Sequence, residues 1–201
     1  AYDLGKDGMD TAIPLLEFDA EREAVIEPTK MGKQVDLPEH CVLCFFREVI
    51  AAVQLEFEAA CLPPIKSEMA EIPLCLAHHQ GRPFCLVQAP VGAPLAAAVL
   101  EEVIARGGRK IIACGGAGVL DSTIASGAIV VPTSALRDEG TSYHYLPASR
   151  DVCPSPRAVE AILRTLTENN CSYVQGKTWT TDAFYRETRG KVARRRAEGC
   201  I

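Results

Sequence analysis

Apolar residues recur along this chain in two rhythms. One is a helical spacing of three and four. The other is a short unbroken run closed by glycine, proline or a polar cluster. Val49, Val53, Phe57 and Ala60 share a face over 47–61, which predicts a helix, and Leu62-Pro63-Pro64 predicts its stop. A strand is expected just before it, over 42–46, following Pro38. Two further strands are expected over 72–78 and 84–88, joined by a Gln80-Gly81-Arg82 turn. Gly92-Ala93-Pro94 then opens a helix to about 106, with Leu95, Val99 and Val103 as its buried stripe. Gly107-Gly108 ends that helix and feeds an apolar run at 111–114, giving a strand-helix-strand unit with a right-handed parallel crossover. A second run, 128–131, closes at Pro132. Val159, Ile162, Leu163 and Leu166 predict a helix over 155–170. A strand over 172–178 and a charged helix over 187–199 complete the pattern, while residues 1–35 are mixed and poorly periodic.

Composition narrows what such a pattern can be. Hydrophobic residues make up 48% of 201 residues, enough to bury a core and too many for a disordered chain. The formal net charge is −5, which argues against a nucleic-acid partner. No apolar run approaches the roughly 18–20 residues of a membrane helix, and the opening residues 1–5 show no secretory signal. The nine cysteines are odd in number and most lie within apolar runs, so a reducing cytoplasm is the expected location. With no repeat, low-complexity tract or linker, the whole span 1–201 reads as a single α/β domain.

Candidate chemistry concentrates between residues 109 and 147. The run at 111–114 stops at Gly115, Gly116, Ala117 and Gly118, a loop with almost no side chains whose backbone N–H groups can approach an anion or a sugar. Its plainer reading is a tight turn that needs glycine for steric reasons. After the second run, Arg137, Asp138, Glu139 and His144 crowd a polar loop. They suit an acid/base group or a solvated loop with a structural ion pair. Arg137 is the best single cation for a phosphate, because its planar fork matches two oxygens. Two strands delivering their carboxyl-end loops to one place is how open α/β sheets build ligand sites. Phe184 is either a core aromatic or a π-face for stacking. Cys41 and Cys44 have metal-like spacing without a second ligand pair, so they read as buried strand residues and no metal is expected. Arg194, Arg195 and Arg196 read as a solvated helix face.

Three blocks, in order, resemble the nucleoside phosphorylase family, close to its uridine phosphorylase-like members: 112–120 (Ile-Ala-Cys-Gly-Gly-Ala-Gly-Val-Leu), 129–147, and 176–188 with Trp179, Asp182, Phe184 and Tyr185. The likeness covers most of the chain from about residue 36. It implies a three-layer α/β sandwich with a mixed central sheet and phosphorolysis of a nucleoside, pyrimidine by preference, to free base and ribose 1-phosphate. Hydrolytic cleavage, or nucleoside binding without turnover, are the alternatives. It implies no cofactor beyond phosphate as co-substrate, and a homo-oligomer, dimer or hexamer. By the same resemblance Gly115, Gly116, Ala117 and Gly118 run under the ribose and phosphate and Phe184 stacks on the base; Arg137 joins the phosphate candidates for its fork alone, and no catalytic group is assigned. Ala113 stands where many members have a phosphate-binding arginine, and Thr188 and Gly190 stand where close uridine phosphorylases have a glutamine and an arginine. The family's N-terminal glycine-proline-arginine loop is not legible in 1–35. Its block with the ribose-holding glutamate is expected to follow residue 201, so the chain reads as C-terminally incomplete.

Overall fold

The computed structural model describes residues 13–30, 35–67 and 70–201; the stretch 1–5, read for a signal, lies outside them. In order the elements are β1 (His40–Cys44), α1 (Arg47–Glu56), β2 (Ala60–Lys66), β3 (Glu71–His79), β4 (Arg82–Gln88), α2 (Ala93–Ala105), β5 (Lys110–Cys114), β6 (Ile129–Asp138), β7 (Asp151–Val152), α3 (Pro156–Glu168), β8 (Tyr173–Thr181) and α4 (Arg189–Ala197). The mixed α/β class is as expected, but the sheet comes in two parts. Five strands pair in the order β2-β3-β4-β1-β5, and three in the order β7-β6-β8. The segment between β5 and β6, 115–128, is rich in glycine and forms no strand, so it adds no rung that would join them. Both sheets are mixed: β1 is parallel to β4 and β5 while β2, β3 and β4 run antiparallel, and β6 is parallel to β8 and antiparallel to β7.

The five-stranded sheet is the middle layer of a sandwich. Strand alternation sends Cys41, Leu43, Cys85 and Val87 to one face, where Val99 and Val103 of α2 pack with them. It sends Cys44, Cys75 and Leu86 to the other face, against Ile50 of α1. Burying a valine completely stabilises by roughly 1.5–3 kcal/mol, so Val99 and Val103 alone anchor α2 firmly. The helix carries the chain from β4 to β5 across β1, which is the expected parallel crossover. It ends at Gly107, whose φ of +110° and approach to the Leu37 carbonyl leave no place for a Cβ.

Several expected boundaries move, three of them for a clear local reason. The helix predicted over 47–61 ends at Glu56, because Glu58 turns left-handed (φ 48°) and redirects the chain into β2. Pro63 and Pro64 then lie inside a strand. They are tolerated because β2 is an edge strand with an irregularity between Leu62 and Ile65. The strand expected to close at Pro132 runs on to Asp138. A bulge between Pro132 and Ser134 absorbs the proline, and β7 pairs only with Ala135 and Leu136 on that side. The Gln80-Gly81 turn is as expected, with both φ values positive (50° and 75°), the geometry of a tight hairpin.

Candidate functional site

The parallel register of β6 and β8 sets Arg137 opposite Thr180 and Asp138 opposite Thr181. Both strands therefore end side by side and release their loops, 139–150 and 182–188, at one point. The loops are tied there: Gly140 N–H donates to Asp182 Oδ2 at 2.8 Å, and Asp182 N–H to the Asp138 carbonyl at 3.3 Å.

Arg137 is 5% exposed and organises the first loop. Its Nε donates to Ser142 Oγ (2.8 Å), Nη1 to the Pro147 carbonyl (2.9 Å) and Ser149 Oγ (2.7 Å), and Nη2 to the Leu146 carbonyl (3.3 Å). The guanidinium also lies 4.2 Å from the Tyr143 ring centroid. Four of its five N–H groups are engaged, which leaves a single Nη2–H for a ligand. Glu139, also buried, accepts from the Ser142 N–H at 2.9 Å and from the Ser142 hydroxyl, closing the turn Thr141–His144. His144 is exposed at the end of that turn.

Asp138 points the other way, into a charged knot. Its Oδ2 accepts from Trp179 Nε1 (3.0 Å), Arg195 Nη2 (3.1 Å) and Lys191 Nζ (3.4 Å). Burial pushes this carboxyl up, but the Arg195, Trp179 and Lys191 donors outweigh it and hold the group below the usual carboxylate range. Of the two readings of Asp138, this geometry is that of a structural ion pair. Arg195 corrects the expectation of a solvated arginine face. It is 7% exposed and pairs through Nη2 with Asp138 and through Nη1 with Glu198 Oε2 (3.1 Å), its Nε having no hydrogen-bond partner among the described residues, while Arg194 and Arg196 are exposed. Helical spacing turns position 195 inward over the Trp179 ring, 5.4 Å away.

Phe184 stands in a short turn, Phe184–Arg186, straight after the β8 loop. The residue is 58% exposed and its ring touches that of Tyr185 at a centroid distance of 4.3 Å. It is therefore not the core aromatic that any single phenylalanine most often is. Thr188 caps α4 by accepting from the Lys191 N–H. Beneath the first loop lies a cavity of about 280 Å³ between Ala93 and Ala97 of α2 and Leu136, Ser142, Tyr145 and Thr180.

The glycine loop follows β5, in the other sheet. The Cys114 carbonyl accepts from the Phe45 N–H at 3.0 Å, so the loop leaves beside Phe45 and Phe46. A Cβ on Gly115 would lie 2.9 Å from the Phe45 ring, one on Gly116 3.4 Å from Phe46, and one on Gly118 would meet nothing. The steric reading thus accounts for Gly115 and leaves Gly118 without a packing reason. Among the described residues no hydrogen bond joins 115–118 to the 137–149 loop or to Phe184; the amino end of α2, lining the cavity, is what spans the two sheets. Cys41 and Cys44 point to opposite faces of β1, which prevents them from sharing a metal ion. Among the described residues no helix is long and apolar enough to cross a membrane.

Sequence reasoning missed Asp182 as the tie between the loops, Trp179 as a donor and Ser142 as the shared partner of Arg137 and Glu139. The parallel pairing of 129–138 with 173–181 is the signal that would have found the first two.

The sequence model of the family described as Phosphorylase superfamily matches residues 40–201. Among curated proteins, the chain is 29% identical over 112 residues to a guanosine phosphorylase of Halorubrum lacusprofundi, covering 56% of this chain and 46% of that protein. It is 27% identical over 107 residues to a uridine phosphorylase of Thermococcus kodakarensis, covering 53% of this chain and 39% of that one. The chain thus spans less than half the length of these relatives. Among solved structures, a uridine phosphorylase from Vibrio fischeri superposes with a TM-score of 0.74 at 22% identity, over 85% of this chain and 75% of that one. A purine nucleoside phosphorylase from Toxoplasma gondii in complex with immucillin-H superposes with a TM-score of 0.73 at 19% identity, over 83% and 66%. At such identities the superpositions speak for the fold.

Proposed function

The chain belongs to the phosphorylase superfamily as a nucleoside phosphorylase family member, and from that premise we propose that it binds a nucleoside at the carboxyl ends of β6 and β8 and cleaves its N-glycosidic bond with phosphate. The products are free base and ribose 1-phosphate, and a pyrimidine nucleoside is the preferred substrate. The observation that carries this reading is Phe184: an aromatic residue left 58% exposed at the loop-delivering end of a parallel strand pair. Such a ring offers a base a stacking face. In the proposed reaction the ribose gains oxocarbenium character as the base leaves, and bound phosphate is held near C1′ by position rather than by covalent chemistry. Backbone N–H groups of Gly115, Gly116, Ala117 and Gly118, with the remaining N–H of Arg137, are the proposed anion contacts. No cofactor is proposed beyond phosphate as co-substrate. A homo-oligomer, dimer or hexamer, working in the cytoplasm completes the proposal.

Hydrolysis by water is the second reading. The engaged fork of Arg137 favours it, as does the loop at 115–118, which carries neither hydroxyl nor charge. Product analysis separates the two. Uridine incubated with the protein gives ribose 1-phosphate only when phosphate is present if the first reading holds. Free ribose at the same rate with and without phosphate establishes the second. Saturable nucleoside binding with neither product overturns both.

A further inference from the structure

All nine cysteines are free, and six of them face each other across strands as Cys41/Cys85, Cys44/Cys114 and Cys61/Cys75. Among the described residues only one of these pairs has its two sulphurs joined by a common partner. Gln54 Nε2, from the last turn of α1, lies 2.8 Å from Cys75 Sγ and 3.8 Å from Cys61 Sγ. The same amide reaching both atoms places the two thiols beside one another on the α1 face of the sheet. We propose that Cys61 and Cys75 form a reversible thiol–disulfide site, oxidised by a peroxide, that staples the edge strand β2 to β3.

Directly opposed residues of an antiparallel pair have Cα atoms about 4.5 or 5.5 Å apart, and both values lie inside the roughly 4.4–6.8 Å that a disulfide spans. The two thiols differ in access. Cys61 is exposed on the edge strand, where a small oxidant reaches it, whereas Cys75 is 1% exposed. Burial raises the Cys75 thiol, although Gln54 lowers it in part, which makes Cys75 the slower thiol toward solvent and the resolving partner. The other pairs fail on one count each. Cys41 and Cys85 are both sealed in the core, at 2% and 0% exposure. Cys44 Sγ is directed to the Phe46 carbonyl at 3.6 Å.

The chemistry balances in two steps. The Cys61 thiolate attacks one peroxide oxygen and the O–O bond breaks. This yields a sulfenic acid and, after protonation, one water. The Cys75 sulphur then attacks the sulfenic sulphur, the S–O bond breaks, a second water leaves and the S–S bond forms. Two sulphurs lose two electrons in total and hydrogen peroxide is reduced to water. A thiol reductant reverses the step by exchange.

The test uses the 201-residue chain, mild hydrogen peroxide, alkylation of remaining thiols and digestion with trypsin, which cuts after Lys66 and so separates the two cysteines. The expected result is a linked peptide pair carrying Cys61 and Cys75, lighter by two hydrogens, lost on dithiothreitol treatment and accompanied by a reversible rise in Tm. Cys61→Ser abolishes the link. Cys75→Ala leaves a sulfenic acid at Cys61 that dimedone traps. Should Cys75→Ala fail to fold, the wild-type link and its loss in the exposed-site variant Cys61→Ser decide alone. A link mapped to Cys44–Cys114 or Cys41–Cys85, or oxidation of Cys61 to the sulfinic acid without any link, overturns the proposal.

Discussion

At the scale of single residues, the two side chains singled out most firmly from sequence sit in opposite settings. Phe184 is exposed and holds no core contact that its loss would open. Phe184→Ala is therefore expected to leave the thermal transition in place and to weaken nucleoside binding by about 1–3 kcal/mol, the worth of one base–aromatic stack. Isothermal titration with uridine checks this, and unchanged affinity would show the ring idle. Arg137 is the reverse case. Its bonds to the Leu146 and Pro147 carbonyls and the Ser142 and Ser149 hydroxyls fix a whole loop. Arg137→Ala removes these bonds from acceptors that water can reach in part, at about 0.5–1.5 kcal/mol each. We expect a lower denaturant midpoint and faster proteolysis within 139–150, whatever happens to phosphate. A variant as stable as the parent, with phosphate binding selectively lost, would return Arg137 to the role its fork shape suggests.

At the scale of elements, the existence of the helices was legible in the sequence and their buried faces only in part: α1 is buried through Ile50, whereas Val49 of the expected stripe is exposed. Of the three positions expected to bury α2, Val99 and Val103 do so, while Leu95, in its first turn, is 41% exposed. What was not legible depends on partners that spacing cannot name. Pro63-Pro64 and Pro132 are chain breakers by local rules, yet all three lie in strands, because an unpaired edge or a bulge removes the need for their missing N–H. Likewise a polar cluster at 137–144 shows that charges meet, but not that Asp138 turns to α4 while Arg137 turns to its own loop. The glycine loop was visible as a loop; only the Phe45 ring beside Gly115 separates steric need from freedom at Gly118. The Asp138 knot joins β6, β8 and α4 and carries a pH dependence. Its folded carboxyl titrates below the unfolded value of about 3.9, so its stabilisation is present in full above that pH and is lost as pH falls through the folded value. Asp138→Asn is expected to cost about 1–3 kcal/mol near neutrality, since the buried Arg195 loses one carboxylate, and to flatten the acid limb of a Tm-against-pH curve below about pH 4. An acid limb identical to that of the parent would place the titration elsewhere.

At the scale of the whole molecule, the question is where positive charge is available for phosphate. Three cations close to the proposed site are committed. Arg137 is spent on its loop, and Arg195 and Lys191 face Asp138. On the other sheet Ala113 is exposed at the end of β5 and brings no charge, while Phe45 and Phe46 flank the glycine loop with hydrocarbon. Charge-assisted bonds are about twice as strong as neutral ones, so a site relying on backbone N–H groups and one residual arginine donor holds phosphate loosely. The expected dissociation constant is millimolar or weaker, about −4 kcal/mol or less favourable. Titration calorimetry with phosphate, at fixed ionic strength and with sulfate as a control, measures it directly. Weak binding together with phosphate-independent release of base would favour water as the nucleophile, since the loop then has no anion to position. A micromolar constant would mean that the gathering charges lie beyond those named. Arg186 and Arg189, exposed on either side of Thr188 and a few residues past Phe184, would be the first to replace by alanine.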